Sequence, residues 1–141
     1  LFASVGVTAA APAQAAGAPA AGVPASVAAH ALRITASRKG SPYQVGAVGP
    51  TRFDCSGLTQ WSYSRVGKRL PRTTAQQYQA TIRISKVQAR PGDLVFFMSG
   101  RNIYHTGIYA GNGKVWHSPR PGERVKLVTI WTSAVAYGRV R

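Results

Sequence analysis

One cysteine, Cys55, sits in the run Phe53-Asp54-Cys55-Ser56-Gly57-Leu58, in a chain that otherwise reads as exported. A thiol without a partner cannot close an internal disulfide, and an exposed one is a liability in an oxidising compartment. Nucleophilic chemistry is the reason to keep it. Such chemistry needs the thiolate, and a helix N-terminus or a neighbouring imidazolium lowers a thiol pKa from about 8.5 to roughly 3.5–7.5. Asp54 is a good N-cap residue, so Cys55 is expected in the first turn of the helix that follows. The unpaired amides and the helix dipole there favour negative sulfur, and the same amides are placed to hold a developing oxyanion.

The base for such a nucleophile would be histidine, and the chain has three. His30 falls among alanines in an N-terminal helical pattern, where a structural or solvent-facing role suits it. His105 and His117 flank a turn at Gly111-Asn112-Gly113. Side chains alternate along a strand, so His105, Gly107 and Tyr109 share a face. With a three-residue loop over Gly111 to Gly113, His117 falls on that same face, diagonally across from His105, at a spacing of roughly 7–8 Å at the backbone. A loop of even length would turn it away. His105 would then act as base towards Cys55 and as acid towards the leaving amine, with His117 fixing its tautomer. A second imidazole orients without adding negative charge, so it stabilises an imidazolium less than a carboxylate would. Spacing alone leaves a second account open: a lone cysteine as a small buried apolar residue and two ordinary hydrogen-bonding strand histidines.

Periodicity assigns the secondary structure around these residues. Leu1 to about Ser26 is an uncharged Ala/Gly/Pro/Val stretch. Ala13-Gln14-Ala15 has the small-x-small form of a signal-peptidase site, so residues 1–26 are expected to be a signal-peptide remnant or an Ala/Pro linker, and 27–141 the folded domain. Val27 to Arg38 carries apolar residues at helical spacing, ended by Lys39-Gly40. A second helical pattern follows Asp54, with Gly67 as its stop. Thr73-Thr74-Ala75-Gln76 has the form of a capping box, which predicts a short helix towards Ala80. Leu94–Phe97, Tyr104–Ala110, Lys114–His117, Val125–Ile130 and Ala136–Val140 read as strands. Helices first and strands second predict an α+β domain, with the helices packed on one antiparallel sheet.

The 141 residues are enough for one domain plus a tail. No apolar run reaches the roughly 18 residues of a membrane span, so no membrane insertion is expected. Eighteen Lys+Arg against three Asp+Glu give a formal charge of +15, which favours a polyanionic partner. The basic residues are dispersed, without the like-charge block of a nucleic-acid arm and without metal-ligand cysteine spacing or an RNP-type motif. Nucleic acid is therefore not expected as a partner, and charge alone does not choose between the others.

Several motifs in order carry a more specific signal. Phe53-Asp54-Cys55-Ser56-Gly57-Leu58, Leu70-Pro71-Arg72-Thr73 with Gln76-Gln77, Arg90-Pro91-Gly92-Asp93-Leu94-Val95-Phe96-Phe97 and His105-Thr106-Gly107-Ile108-Tyr109, preceded by Pro42-Tyr43 with Gly46, closely resemble the NlpC family of cell-wall cysteine peptidases. The resemblance covers about Ala31 to Arg141. It implies a papain-like core and hydrolysis of the peptidoglycan stem peptide, usually at the bond between D-glutamate and the diamino acid after it. It implies Cys55 as nucleophile, His105 as base and His117 as third polar residue, with Tyr43, Asp54 and Ser56 lining the substrate pocket. No metal or organic cofactor is implied. The expected setting is secretion to the cell wall, as a monomer, with anionic wall polymers as a further partner. Val45, Ala47 and Thr106 depart from the family's common Trp, Gly and Val. Arg72 is expected to brace a loop, Asp93 to hold backbone amides in a turn, and the three tryptophans to form core or cleft wall.

Overall fold

The computed structural model describes residues 22–141; the signal-like features of the first residues lie outside that range. The described residues run through three helices and then six strands, which is the predicted α+β order. Helix α1 (Ala25–Ala36) buries Ala28, Ala31 and Thr35. Its small side chains bring its backbone close to the next helix, and Thr35 Oγ1 donates to Ser62 Oγ at 2.7 Å in the buried seam. The packed body reaches upstream of Val27: Val23 is buried in the main cluster, and its N–H donates to the Val140 carbonyl at 2.9 Å.

Helix α2 (Cys55–Ser64) starts where Asp54 caps it, the side chain accepting from the Gly57 amide. It stops at Gly67, whose φ of +83° lets the chain reverse there. Helix α3 (Thr74–Ala80) opens on a full capping box: Thr73 accepts from the Gln76 amide, and Gln76 accepts from the Thr73 amide.

Six strands form one antiparallel sheet: β1 (Ile82–Ile84), β2 (Leu94–Ser99), β3 (Asn102–Gly111), β4 (Lys114–His117), β5 (Lys126–Thr129) and β6 (Val135–Arg139), in the spatial order β1-β6-β2-β3-β4-β5. One face carries Leu94, Phe96 and Ile108 against Ala28, Ala31, Tyr63 and Leu70 of the helical layer. The other carries Ile84, Val95, Phe97, Val115 and Tyr137. Strand β2 is therefore covered on both faces and reads as a continuous apolar run. Strand β1 escapes detection by sequence pattern because it has three residues with Arg83 at its centre; its pairing with β6 makes it a strand.

The β3–β4 hairpin corrects the predicted loop. The turn has two residues, Asn112 (φ 55°) and Gly113 (φ +72°), both in the left-handed conformation that a tight hairpin favours. An even loop would have turned His117 to the wrong face. Instead Tyr109 pairs with Val115 and Gly111 with Lys114, so Ala110 is an extra residue bulged out of β3. The bulge restores the parity that a three-residue loop would have given.

Candidate active site

His105 and His117 meet across β3 and β4, His105 Nε2 lying 2.8 Å from His117 Nδ1. Both side chains are buried. Register places Ile108 opposite Trp116 and so Gly107 beside His117, with His105 on the diagonal. Gly107 keeps the strands this close: a Cβ there would lie 2.6 Å from the Trp116 carbonyl oxygen and 3.1 Å from His117 Cβ. One proton lies between the two facing nitrogens, so the tautomers of the rings are linked. The far nitrogen of His117, Nε2, is buried without a hydrogen-bond partner among the described residues.

Burial pushes both imidazoles well below their ordinary pKa. For His105 the neighbouring His117 and Arg120 add to the effect of burial. For His117, Lys126 and Arg120 lower it further while Glu123 opposes them. Both rings are therefore neutral near pH 7. They open into a cavity of about 600 Å³ whose wall includes Tyr104, Arg120, Glu123 and Trp131. Trp131 stacks on Phe97 at 4.2 Å and stands 5.5 Å from the His117 ring, so it is a cleft wall and half of it is open to solvent.

Cys55 opens helix α2 at the expected first position and is half-buried. Its Sγ lies 3.7 Å from Thr74 Oγ1. Asp54 holds this end of the helix through both carboxylate oxygens: Oδ1 accepts from the Gly57 amide at 2.7 Å and Oδ2 from the Gly46 amide at 3.1 Å. Gly57 is required because a Cβ there would lie 2.1 Å from the Ala47 carbonyl oxygen. That carbonyl accepts the Asp54 amide at 2.9 Å, so Ala47, where the resemblance leads one to expect glycine, leaves the backbone contact in place.

Arg72 does more than its sequence position suggests. Its guanidinium donates to Asp54 Oδ2 at 2.6 Å, to Asp54 Oδ1 at 3.2 Å and to Ser56 Oγ at 2.9 Å. It braces the cap of the cysteine helix and not merely its own loop, and Leu-Pro-Arg-Thr beside a capping box was the available signal. The Asp54 hydrogen bond raises the Arg72 pKa, so its charge is fixed. Ser56 is buried beneath this pair. Tyr43 is bridged to Phe53, and its hydroxyl pKa is raised first by burial and then by the charges of Cys55 and Asp54. Tyr43, Asp54 and Ser56 thus gather around the start of α2.

The cysteine group and the histidine pair form two sets of contacts, and the thiol and His105 are not hydrogen-bonded to each other. What joins the sets is backbone: Ser118, directly after His117, is buried and donates to the Phe53 carbonyl oxygen at 2.8 Å. Elsewhere, His30 is exposed. Asp93 accepts the Arg90 amide, as predicted, but also a two-oxygen ion pair from Arg139, which spacing did not suggest. Thr106, where the resemblance leads one to expect valine, is buried with its hydroxyl donating to the Val95 carbonyl at 2.9 Å.

A cysteine opening a helix, packed against an antiparallel sheet that carries a histidine pair, defines a papain-like α+β domain. The chain matches the NlpC/P60 family over residues 40–138 and belongs to that family. It is 47% identical over 106 residues to a probable endopeptidase p60 of Listeria monocytogenes, covering 72% of this chain and 22% of that protein. It is 49% identical over 110 residues to the bifunctional muramidase/DL-endopeptidase CwlT of Bacillus subtilis, covering 73% and 33%. The chain therefore spans about a fifth to a third of the length of these curated relatives. Among solved structures, the NlpC/p60 domain of the peptidoglycan hydrolase SagA superposes with a TM-score of 0.73 at 35% identity, covering 81% of this chain and 98% of that one. Among the described residues no helix is long and apolar enough to cross a membrane.

Proposed function

We propose that this domain is a secreted D,L-endopeptidase that cleaves the peptidoglycan stem peptide after D-glutamate, with Cys55 as nucleophile. The observation that supports this reading best is the 2.8 Å contact between His105 Nε2 and His117 Nδ1. In the productive tautomer His105 donates its Nε2 proton to His117 Nδ1, which leaves the His105 Nδ1 lone pair free as a base. That assignment puts the remaining His117 proton on Nε2, and the polarised pair stabilises the imidazolium once formed.

In the first step Nδ1 of His105 takes the thiol proton as Sγ of Cys55 attacks the scissile carbonyl. The developing oxyanion is met by amides of the first turn of α2. The tetrahedral intermediate collapses as the imidazolium returns its proton to the leaving amine, giving an acyl-enzyme on Cys55 and a free diamino acid end. Water, deprotonated by His105, then releases the carboxylate product and the thiol. Asp54, Ser56 and Tyr43 line the pocket beside the nucleophile, where the fixed Asp54 carboxylate suits the free amino end of a trimmed stem peptide. No cofactor takes part.

Rates on purified peptidoglycan test the roles. Cys55→Ala and His105→Ala are each expected to lose at least 1,000-fold while keeping the fold, and His117→Ala about 100-fold, on the scale of general-base and orienting groups. Retained hydrolysis in Cys55→Ala would end the reading. The alternative, a non-catalytic basic wall-binding module on the same fold, is favoured by the charge of +15 alone.

A further inference from the structure

All three side-chain carboxylates of the chain are in ion pairs: Asp54 with Arg72, Asp93 with Arg139, and Glu123 with both Arg120 and Lys126. Every other Lys or Arg therefore lacks a carboxylate side chain as partner. These cations are not evenly placed. Arg38, from the end of α1, and Arg65, from the end of α2, bring their guanidinium carbons to 4.9 and 5.8 Å from the centre of the same Trp61 ring. That ring forms part of the wall of a groove of about 610 Å³, together with Val48, Gln60, Lys68, Arg69 and Arg72. Arg65 and Arg69 are exposed and Lys68 is half-buried. Two guanidinium groups sharing one ring, with Lys68 and Arg69 along the wall and no carboxylate paired to any of the four, concentrate positive charge that a polyanion would neutralise.

We infer that this groove is an exosite for a phosphodiester polymer of the polyol-phosphate type, which holds the enzyme on the wall through cations other than the Arg72 that braces Asp54. Guanidinium forks match phosphate oxygens in pairs, and several cations around one groove suit a repeating phosphate over a single anion. The polymer read here has no bases to stack. Single-stranded nucleic acid is gripped by aromatic faces, and Trp61 has Arg38 and Arg65 over its ring and Phe53 packed at 5.4 Å in an edge arrangement. The choice of a wall polymer rests on the peptidoglycan reading of the family, but the binding site rests on charge and geometry alone.

The test uses the full chain with Cys55→Ala, so that binding is read without turnover and independently of the catalytic proposal. Its affinity for poly(glycerol phosphate) is measured by calorimetry at 50 and 200 mM salt. The variant Arg65→Gln/Lys68→Gln/Arg69→Gln is expected to bind at least tenfold more weakly and with a salt slope shallower by about 2, roughly 0.7 for each phosphate that is no longer neutralised. A control with the same change of charge elsewhere, Lys86→Gln/Arg101→Gln/Lys114→Gln, is expected to weaken binding less than threefold. Thermal melts of both variants verify folding, and Arg65→Gln/Arg69→Gln serves if the triple variant does not fold. Equal losses in the two sets, no binding at 50 mM salt, or equally tight binding of oligo(dT) of the same charge would each overturn the inference.

Discussion

Ser118 Oγ donates a 2.8 Å hydrogen bond to the carbonyl oxygen of Phe53. It ties the residue after His117 to the segment that leads into Cys55, and so couples the histidine strand to the cysteine helix. The Phe53 carbonyl also accepts the Gln44 amide. Removing the hydroxyl therefore leaves that oxygen with a partner. Ser118→Ala is expected to cost about 1 kcal/mol in urea unfolding. If the tie positions the two halves of the site, kcat falls at least tenfold more than that modest loss of stability explains.

Gly107 lies against β4 with no room for a side chain. Gly107→Ala must push Trp116 and His117 away, because the new methyl overlaps the Trp116 carbonyl oxygen. The expected result is a folded protein with at least 100-fold lower kcat, since the 2.8 Å histidine contact cannot survive the shift. Imidazole 15N chemical shifts report the tautomers and would show the two rings uncoupled.

Arg72 joins Asp54 and Ser56 by three hydrogen bonds. The pair is partly exposed, so Arg72→Ala is expected to cost only about 1 kcal/mol of stability once solvent screening is allowed for. Its effect on kcat/KM should be larger, at least tenfold, because the Asp54 cap sets the start of the cysteine helix. Lysine cannot reproduce the two-pronged contact, so Arg72→Lys should rescue little of the rate.

The pH dependence follows from the histidine pair. Both imidazoles are held below their ordinary value of about 6.5. His105 therefore stays deprotonated as pH falls through 6.5, and kcat/KM should remain level from pH 7 to pH 6. Arg120 is one of the charges that lower both rings. Arg120→Gln should move the acid limb of the rate profile upward, and an unmoved limb would contradict the assignment. The same shift carries a stability cost. Below pH 6.5 the unfolded chain binds protons that the folded chain refuses, so stability is full above that value and falls as pH drops towards the lowered folded values. Melting temperatures between pH 7 and pH 4 measure it.

Much of this was legible in the sequence, and the exceptions share a cause. Local signals sufficed for the helices: Asp54 and Thr73 cap them, and Gly67 stops the cysteine helix. The two-residue turn was within reach, since Asn112-Gly113 is a strong hairpin signal. The bulge at Ala110 that preserves the facing of His117 depends on pairing with β4, and no local pattern announces it. Strand β1, the Asp93–Arg139 ion pair and the reach of Arg72 to Asp54 likewise depend on residues far apart in the chain. Cys55 and the histidines could be named because their chemistry is rare in the sequence. The histidine-side cavity could not, because Trp131 and Arg120 enter it from loops whose paths only the fold determines.

Whether Cys55 opens the bond after D-glutamate is read by muropeptide mass spectrometry. Purified peptidoglycan is digested with the wild-type chain and with Cys55→Ala, and the soluble fragments are sequenced by tandem fragmentation. A stem fragment ending in D-glutamate and a partner beginning with the diamino acid are expected from the wild type alone. The same fragments from Cys55→Ala, or wild-type cleavage at another bond, would contradict that expectation.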